Sequence, residues 1–343
     1  MSVRRIAELA GVSPSTVSLA LKKSPKIQEA TRRRVEEVAR RLGYSPNTKV
    51  TELMSHVRMS RVPHLDSCFA VISFYEEARP WESSVHLQRM YESMLNRAEN
   101  LGYRLEPMWL RSSGMTHRRF RGILDARGIE GMLCFGSPDV DEAFPAELDH
   151  YAIVTQGVSI KTSLHRVITH AAGDMWRTLE MVYGLGYRHP GVIIGQYEEE
   201  RSAHAYMSAC LGWCQQKFGE PALVPILTFT RLEEQPLLDW LEARSPDVVV
   251  FVDRPEVLAE FSVLLQRHGI RWPNDMGVAA ITQTLEGTDF SGFQENQRLI
   301  GAWAVELLVD RIMNHDLGIP ENPRILMVES QWIKGSSLRL KLE

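Results

Sequence analysis

No stretch of 18 apolar residues occurs in the chain, so nothing in it predicts a membrane-spanning helix. Cysteine is scarce, four in 343 residues, at positions 68, 134, 210 and 214. Cys210 and Cys214 share a helix face, yet no further His or Cys pair stands near enough in sequence to hold zinc. Buried, reduced thiols are expected, and with them a cytoplasmic location. The polar, basic N-terminus lacks an apolar run, so no secretory leader is expected. Also missing are a Walker loop, a G-x-G-x-x-G after a strand, a G-x-S-x-G elbow and metal-ligand His/Cys spacing. Gly184 and Gly186 end a helix and read as caps. These absences argue against an enzyme, a cofactor or a metal site. No leucine heptad follows residue 337, so a tetramer zipped through its tail is not expected.

What the chain does have is a charge asymmetry hidden by its net charge of −4. Residues 1–62 hold 13 Lys/Arg and 5 Asp/Glu, a balance of +8, and the remainder carries −12. A basic head on an acidic body suits a molecule whose head alone meets a polyanion. At 343 residues and 44% hydrophobic, the chain has material for two or three domains with a large core.

The head reads "RIAELAGVSPSTVSLAL" from Arg5. Ile6, Leu9 and Ala10 fall at helical spacing, and Gly11 permits the positive φ that ends a helix. Ser13 suits the cap of a second helix and Pro14 its first position. Val17, Ala20 and Leu21 make the second apolar stripe. Helices this short need partners. A third helix over residues 29–43 offers Val35, Val38, Ala39 and Leu42, with Gly43 and then Pro46 marking its end. This is the plan of a helix-turn-helix, with Ser15, Thr16 and Ser18 on the open face of the second helix, where short hydroxyls approach phosphates and base edges. An ordinary three-helix bundle with a Ser/Thr-rich second helix is the bland alternative, and the charge balance weighs against it. Downstream, Asn47 or Thr48 caps a short stretch carrying Val50, Leu53, Met54 and Val57. Either this pairs with its copy in a second subunit, leaving Leu53 as a minor-groove wedge, or it is a plain linker packed on its own domain.

These residues, with "TRRRVEEVARRLGYSPN", resemble the LacI/GalR family of bacterial transcription regulators. The resemblance implies a repressor acting as a homodimer on a pseudo-palindromic operator in double-stranded DNA, with the second helix in the major groove and Leu53 prying open the central base step. Candidate DNA contacts are Arg5, Ser13, Ser15, Thr16, Ser18, Leu19, Lys22 and Arg32 in the head, and Asn47, Val50, Leu53 and Met54 in the hinge. Many members carry Arg where this chain has Leu19 and Asn where it has Lys22, so no operator sequence is implied.

From Cys68 onward, apolar strands alternate with helical patterns. Strands are expected at 68–74, 103–110, 131–136, 151–155, 190–195, 222–229, 247–252, 276–281 and 324–333. Helices are expected near 83–101, 115–127, 171–185, 199–218, 232–244, 255–268 and 298–314. The rhythm breaks around 156–170 and 282–297. Such a pattern predicts parallel sheets covered on both faces, in two doubly wound subdomains with a ligand cleft between them. The expected organisation is an all-α helix-turn-helix head (1–46), a hinge (47–62) and an α/β core (63–343). The core divides into about 66–163 with 293–323, and about 164–292 with 324–343. "ENLGYRL", "GIEGMLCFG", "LGYRHPGVIIG", "HGIRWPNDMGVAAI" and "WIKGSS" extend the family resemblance over this core, which in that family is similar to periplasmic sugar-binding proteins.

The resemblance implies a small-molecule effector (a sugar, a sugar acid or a related metabolite) bound by Tyr75, Glu76, Gln156, Arg201, Arg254, Thr282 and Phe293. Trp81, in the loop after the first strand, is a candidate for stacking on it. The chain departs from the family pattern at His204, where glycine is usual, at Thr169-His170, at Thr282 and at Arg254-Pro255. Carboxylates that would meet sugar hydroxyls are thus missing at several expected places, and Arg201 with Arg254 favours an anionic ligand. Each residue also has a bland reading, with Arg201 pairing the acidic run Glu198–Glu200 at the surface, and Thr282 satisfying strand-end backbone. A ligand-binding protein of the periplasmic type without a role on DNA is the alternative function, and the basic head argues against it.

Overall fold

The computed structural model describes residues 3–21, 27–42, 67–139, 141–220 and 224–341. The head holds α1 (Val3–Ala10), α2 (Pro14–Leu21) and α3 (Glu29–Arg41). Gly11 adopts φ 64 and closes α1. The amide of Thr16 donates to Oγ of Ser13 at 3.1 Å, so Ser13 caps α2 as its sequence predicts. The three helices bury Ile6, Ala7, Ala10, Val17, Ala20, Val35 and Ala39 against one another. Leu9, expected in this core, is 52% exposed. The buried stripe of α1 runs through Ile6, Ala7 and Ala10, so Leu9 falls to its side.

The core has two six-stranded sheets. The first runs β1 (Cys68–Ser73), β2 (Arg104–Trp109), β3 (Ile129–Cys134), β4 (Ala152–Gln156), β5 (His165–Thr169) and β11 (Ile325–Val328), in spatial order β11-β5-β4-β3-β1-β2, all parallel. The second holds β6 (Pro190–Gly195), β7 (Ile226–Phe229), β8 (Val248–Val252), β9 (Gly277–Thr282), β10 (Ser291–Gln294) and β12 (Gln331–Ile333), in order β12-β10-β9-β8-β6-β7. Only its β10–β12 pair is antiparallel.

Both faces of each sheet are covered, which is why the strands read as unbroken apolar runs. In the first subdomain, α4 (Val85–Asn100) and α11 (Gln297–Met313) cover one face through Met90, Met94, Ala304 and Leu308. The opposite face takes α5 (His117–Ala126) through Phe120 and Leu124. In the second, α6 (Ala171–Gly184) and α8 (Ala205–Phe218) cover one face through Leu179, Val182 and Trp213. There α9 (Glu234–Arg244) and α10 (Pro255–Arg267) cover the other through Leu241 and Phe261. Among the described residues, no helix is long and apolar enough to cross a membrane.

The chain passes between subdomains three times, at 169–171, 294–297 and 328–331. The expected subdomain limits shift accordingly. The segment 165–169, expected in the second subdomain, is β5 of the first sheet, and 293–294 belong to β10 of the second. The single strand expected at 324–333 is two strands, one in each sheet. Both apparent breaks in the strand rhythm therefore contain a short crossing strand. β5 escapes an apolar pattern because it opens on His165 and Arg166. Arg166 is buried and donates to the carbonyls of Leu164, Ile160 and Thr162 at 3.3, 3.3 and 2.9 Å. β10 is four residues long and contains Gly292.

Candidate functional site

The head presents α2 with Thr16 half-buried and its hydroxyl 2.9 Å from Oγ of Ser13, so both hydroxyls are engaged at the cap. Leu19 is half-buried. Arg5 is exposed and pairs with Glu8 at 2.8 Å, and Arg32 pairs with Glu29. Each arginine can exchange such a surface partner for a phosphate at little cost. The side chains of Ser15 and Ser18 lie outside the described residues. So do Lys22 and the whole hinge, with Asn47, Val50, Leu53 and Met54.

The core holds a cavity of about 320 Å³ beside the crossings. Its lining includes Gln156 at the end of β4, the last residues of β5, Ile300 of α11, and Glu295 in the second crossing. From the second subdomain come Glu198 and Arg201 of α7 (Gln196–Arg201), and Tyr206. Arg201 ends α7 with Nη1 3.6 Å from Oε1 of Glu198 and its guanidinium 5.6 Å from the centre of the Tyr197 ring. A methyl group on Gly157 would stand 3.8 Å from Nη2 of Arg201, which places the arginine against the first subdomain. Glu198 also accepts from Nε2 of Gln283 at 3.2 Å. Gln156 donates to the carbonyl of Phe135 at 2.5 Å.

Burial dominates the titration of this cluster. It pushes Glu295 up to about 7, against the opposing pull of Arg201 and with help from Glu198 and Asp174. It pushes Tyr75 up to about 12, with Arg201 again opposing. It pulls His86 down to about 4, aided by Arg201, so this imidazole is neutral at pH 7. Arg201 thus acts on Tyr75 and His86 of the first subdomain, second to burial in each case.

A carboxylate raised above its ordinary 4.5 favours the folded state most when protonated. Its contribution is complete below about 4.5 and is lost as pH rises through about 7. Glu295→Gln is therefore expected to lose less stability than the parent between pH 5 and pH 8. Urea midpoints at the two pH values check this, and parallel declines would refute it.

The segment between α7 and α8 is strained. Ala203 and His204 have φ of 55 and 63, a region that side chains resist, and Ala203 lines the cavity. His204→Gly is expected to raise stability by roughly 0.5–1 kcal/mol, relief of the left-handed residue outweighing the entropy of glycine. A lower urea midpoint would count against strain there.

A polar bracket ties the first and third crossings together. Asp174 of α6 is fully buried, accepts from Oγ of Ser330 at 2.6 Å and from Nη2 of Arg177 at 2.7 Å, and is pushed by burial to about 6. Glu329 meets His170 at 2.8 Å and Arg177 at 2.5 Å.

Residues 2–47 match the family described as bacterial regulatory proteins, lacI family. That match spans the three-helix head. A 53-residue stretch is 43% identical to the probable HTH-type transcriptional repressor ExuR of Bacillus subtilis (strain 168), covering 16% of this chain and 16% of that protein. Over nearly the whole length the chain is similar in fold to two solved regulators. One is the transcriptional regulator CelR in complex with cellobiose, with 20% identity, 98% and 99% of the two chains covered, and a TM-score of 0.55. The other is the lac repressor dimer bound to operator and the anti-inducer ONPF, with 15% identity, 98% of each chain covered, and a TM-score of 0.58. The head that matches this family model is thus carried on a core similar in fold to those two proteins.

Behind the head, the structure brings only part of the expected ligand set together. Gln156 and Arg201 line the cavity, and Tyr75 sits within reach of the field of Arg201. Arg254 is exposed beside the cleft, 5.2 Å from the Tyr197 ring and paired with Asp253. Thr282 is buried at the end of β9 against Gln283. Three residues fall elsewhere. Trp81 is buried in the first core, stacked on Tyr91 at 4.2 Å, because its 3₁₀ turn folds back onto α4. Glu76 is exposed and bound to Arg111 at 2.8 Å. Phe293 meets Arg177 at 4.5 Å and Trp332 at 5.1 Å, away from the residues that line the cavity. Sequence reasoning missed Glu198, Tyr206 and Glu295. The expected positions do lack carboxylates, and the two that line the cavity, Glu198 and Glu295, enter from a helix and a crossing rather than from strand ends.

Proposed function

We propose that this chain is a sequence-specific transcriptional regulator, a repressor working in the cytoplasm rather than an enzyme. Two copies read a pseudo-palindromic duplex through their heads, and a small molecule in the core cleft changes that affinity. The capped helix-turn-helix with its lacI-family match carries the reading, since a second helix begun at Ser13 on a basic head is built to enter a major groove. The cleft beside three crossings supplies the control. A ligand that prefers one angle between subdomains shifts the equilibrium between their arrangements, and the heads are coupled to that angle. The cellobiose bound by CelR supports a carbohydrate effector here.

Selection of random duplexes by the purified full chain, with and without a panel of carbohydrates, tests this. A dyad-repeat sequence whose recovery changes with one carbohydrate is the expected result. A monomer with no preference over random DNA overturns it. Leu53→Ala is expected to weaken binding to the selected duplex at least about tenfold while leaving non-specific binding within about twofold, through loss of a minor-groove wedge. Equal losses on both would refute the wedge, and fluorescence anisotropy reads both.

A further inference from the structure

The second subdomain holds another cavity, of about 550 Å³, at the opposite end of its sheet from the cleft that contains Arg201. Pro190 and Ile226, the first residues of β6 and β7, line it with Val224 and Pro225. The cleft lies beyond the other end of β6, where Gly195 passes into α7 with Glu198 and Arg201. One strand of 6 residues therefore separates the two, at a rise of about 3.3 Å per residue on the order of 20 Å. Among the described residues, none lines both.

Its walls combine aromatic rings with cations. Phe218 closes α8 on one layer of the subdomain, and Trp240 stands in α9 on the other. Trp240 is seated against β6, since a Cβ on Gly191 would stand 2.6 Å from its indole. Phe218 meets the rings of Trp213 and Tyr183 edge-on at 5.5 and 6.0 Å. Both lining rings are half-buried and held in place, so a third ring laid on them takes away little freedom. The cations are Arg188 and Arg244, with His189 beside them. Nη1 of Arg188 donates to the carbonyls of Tyr183 and Tyr187 at 2.9 and 3.1 Å, which anchors that guanidinium. Among the described residues, the side chains of Arg244 and His189 have no hydrogen-bond or ion-pair partner. No Asp or Glu is among the described lining residues. Asp247, which accepts from the amides of Arg188 and His189, is matched by Nζ of Lys341 at 3.0 Å.

We propose that this second cavity binds a planar aromatic monocarboxylate, with its ring against Trp240 and Phe218 and its carboxylate on Arg244 and His189. The helices hold the charge to one. Both α8 and α9 end here, and the unpaired carbonyls of their last turns repel a second negative charge. Offsetting the end of α9 accounts for a cation at position 244. It does not account for two fixed rings with open volume between the helical layers. The site stands apart from the cleft, and its occupation requires neither DNA nor an effector.

Titration calorimetry on the full chain without DNA tests the assignment. The probes are benzoate, phenylacetate and indole-3-acetate, the amide of each, and adenosine monophosphate. At least one acid is expected to bind about tenfold or more tightly than its amide, the contribution of a charge-assisted contact. Arg244→Gln, at an exposed position, is expected to weaken that acid about tenfold and leave its amide unchanged. Arg244→Lys keeps the charge and recovers part of the loss. No binding by any acid, equal binding of acid and amide, or adenosine monophosphate as the tightest ligand overturns the inference. Undiminished acid binding by an Arg244→Gln chain that circular dichroism shows to be folded also overturns it, because the acid then sits elsewhere.

Discussion

Arg201→Ala is expected to abolish the response to ligand, with binding at least about a hundredfold weaker. Among the described residues lining the cavity, Arg201 is the one Lys or Arg, and it stands 3.6 Å from Glu198. A hydrogen bond from a charged donor contributes roughly 1.5–3 kcal/mol. Loss of two such bonds amounts to about 3 kcal/mol, and each 1.4 kcal/mol is a factor of ten. The protein still folds, because Glu198 keeps the hydrogen bond it accepts from Gln283. Arg201→Lys keeps the charge and loses the fork, so it recovers part of the affinity. Calorimetry with the carbohydrate of the panel that the parent chain binds most tightly, beside circular dichroism to confirm folding, reads the result. Undiminished binding by a folded Arg201→Ala chain would remove this residue from the site.

Gly301→Ala should lower the melting temperature by roughly 4–8 °C. Gly301 lies in α11 where that helix crosses α4, and an added Cβ would stand 2.4 Å from the carbonyl oxygen of Met90. That oxygen belongs to the backbone of α4 and cannot swing aside, so the helices must separate. Overpacking of this kind costs roughly 1–3 kcal/mol or more, and alanine regains about 1 kcal/mol of helix propensity. The clash wins by about 2 kcal/mol, which at 2–4 °C per kcal/mol for domains of this size gives the stated fall. Scanning calorimetry decides it, and a melting point unchanged within 1 °C would show that the crossing has slack.

The head was legible almost residue by residue because its signals are local. Gly11, Ser13 and Pro14 specify a turn and a cap without reference to anything distant, and the structure places the cap bond where the sequence puts it. The long helices and central strands of the core were legible for the same reason. The crossings were not. β5 and β10 are short, and β5 opens on a histidine and an arginine whose burial is stabilised by carbonyls elsewhere. The cleft was half legible. Arg201 and Gln156 sit at element ends and face inward as expected. Glu198 sits in a run of three glutamates that reads as surface, and only the fold shows that two of them, Glu198 and Glu199, are buried. Trp81 failed for the converse reason, since a loop after a strand can return its aromatic ring to the core it left.

Three covalent passages join the two halves of the core. A single tether would let one half swivel in any direction. Three side by side suppress twisting and sliding and leave bending as the soft motion. Whatever occupies the cleft therefore reports to the rest of the molecule through one angle. Ligands of different shape become comparable on a single scale, stronger or weaker, rather than each producing a pose of its own.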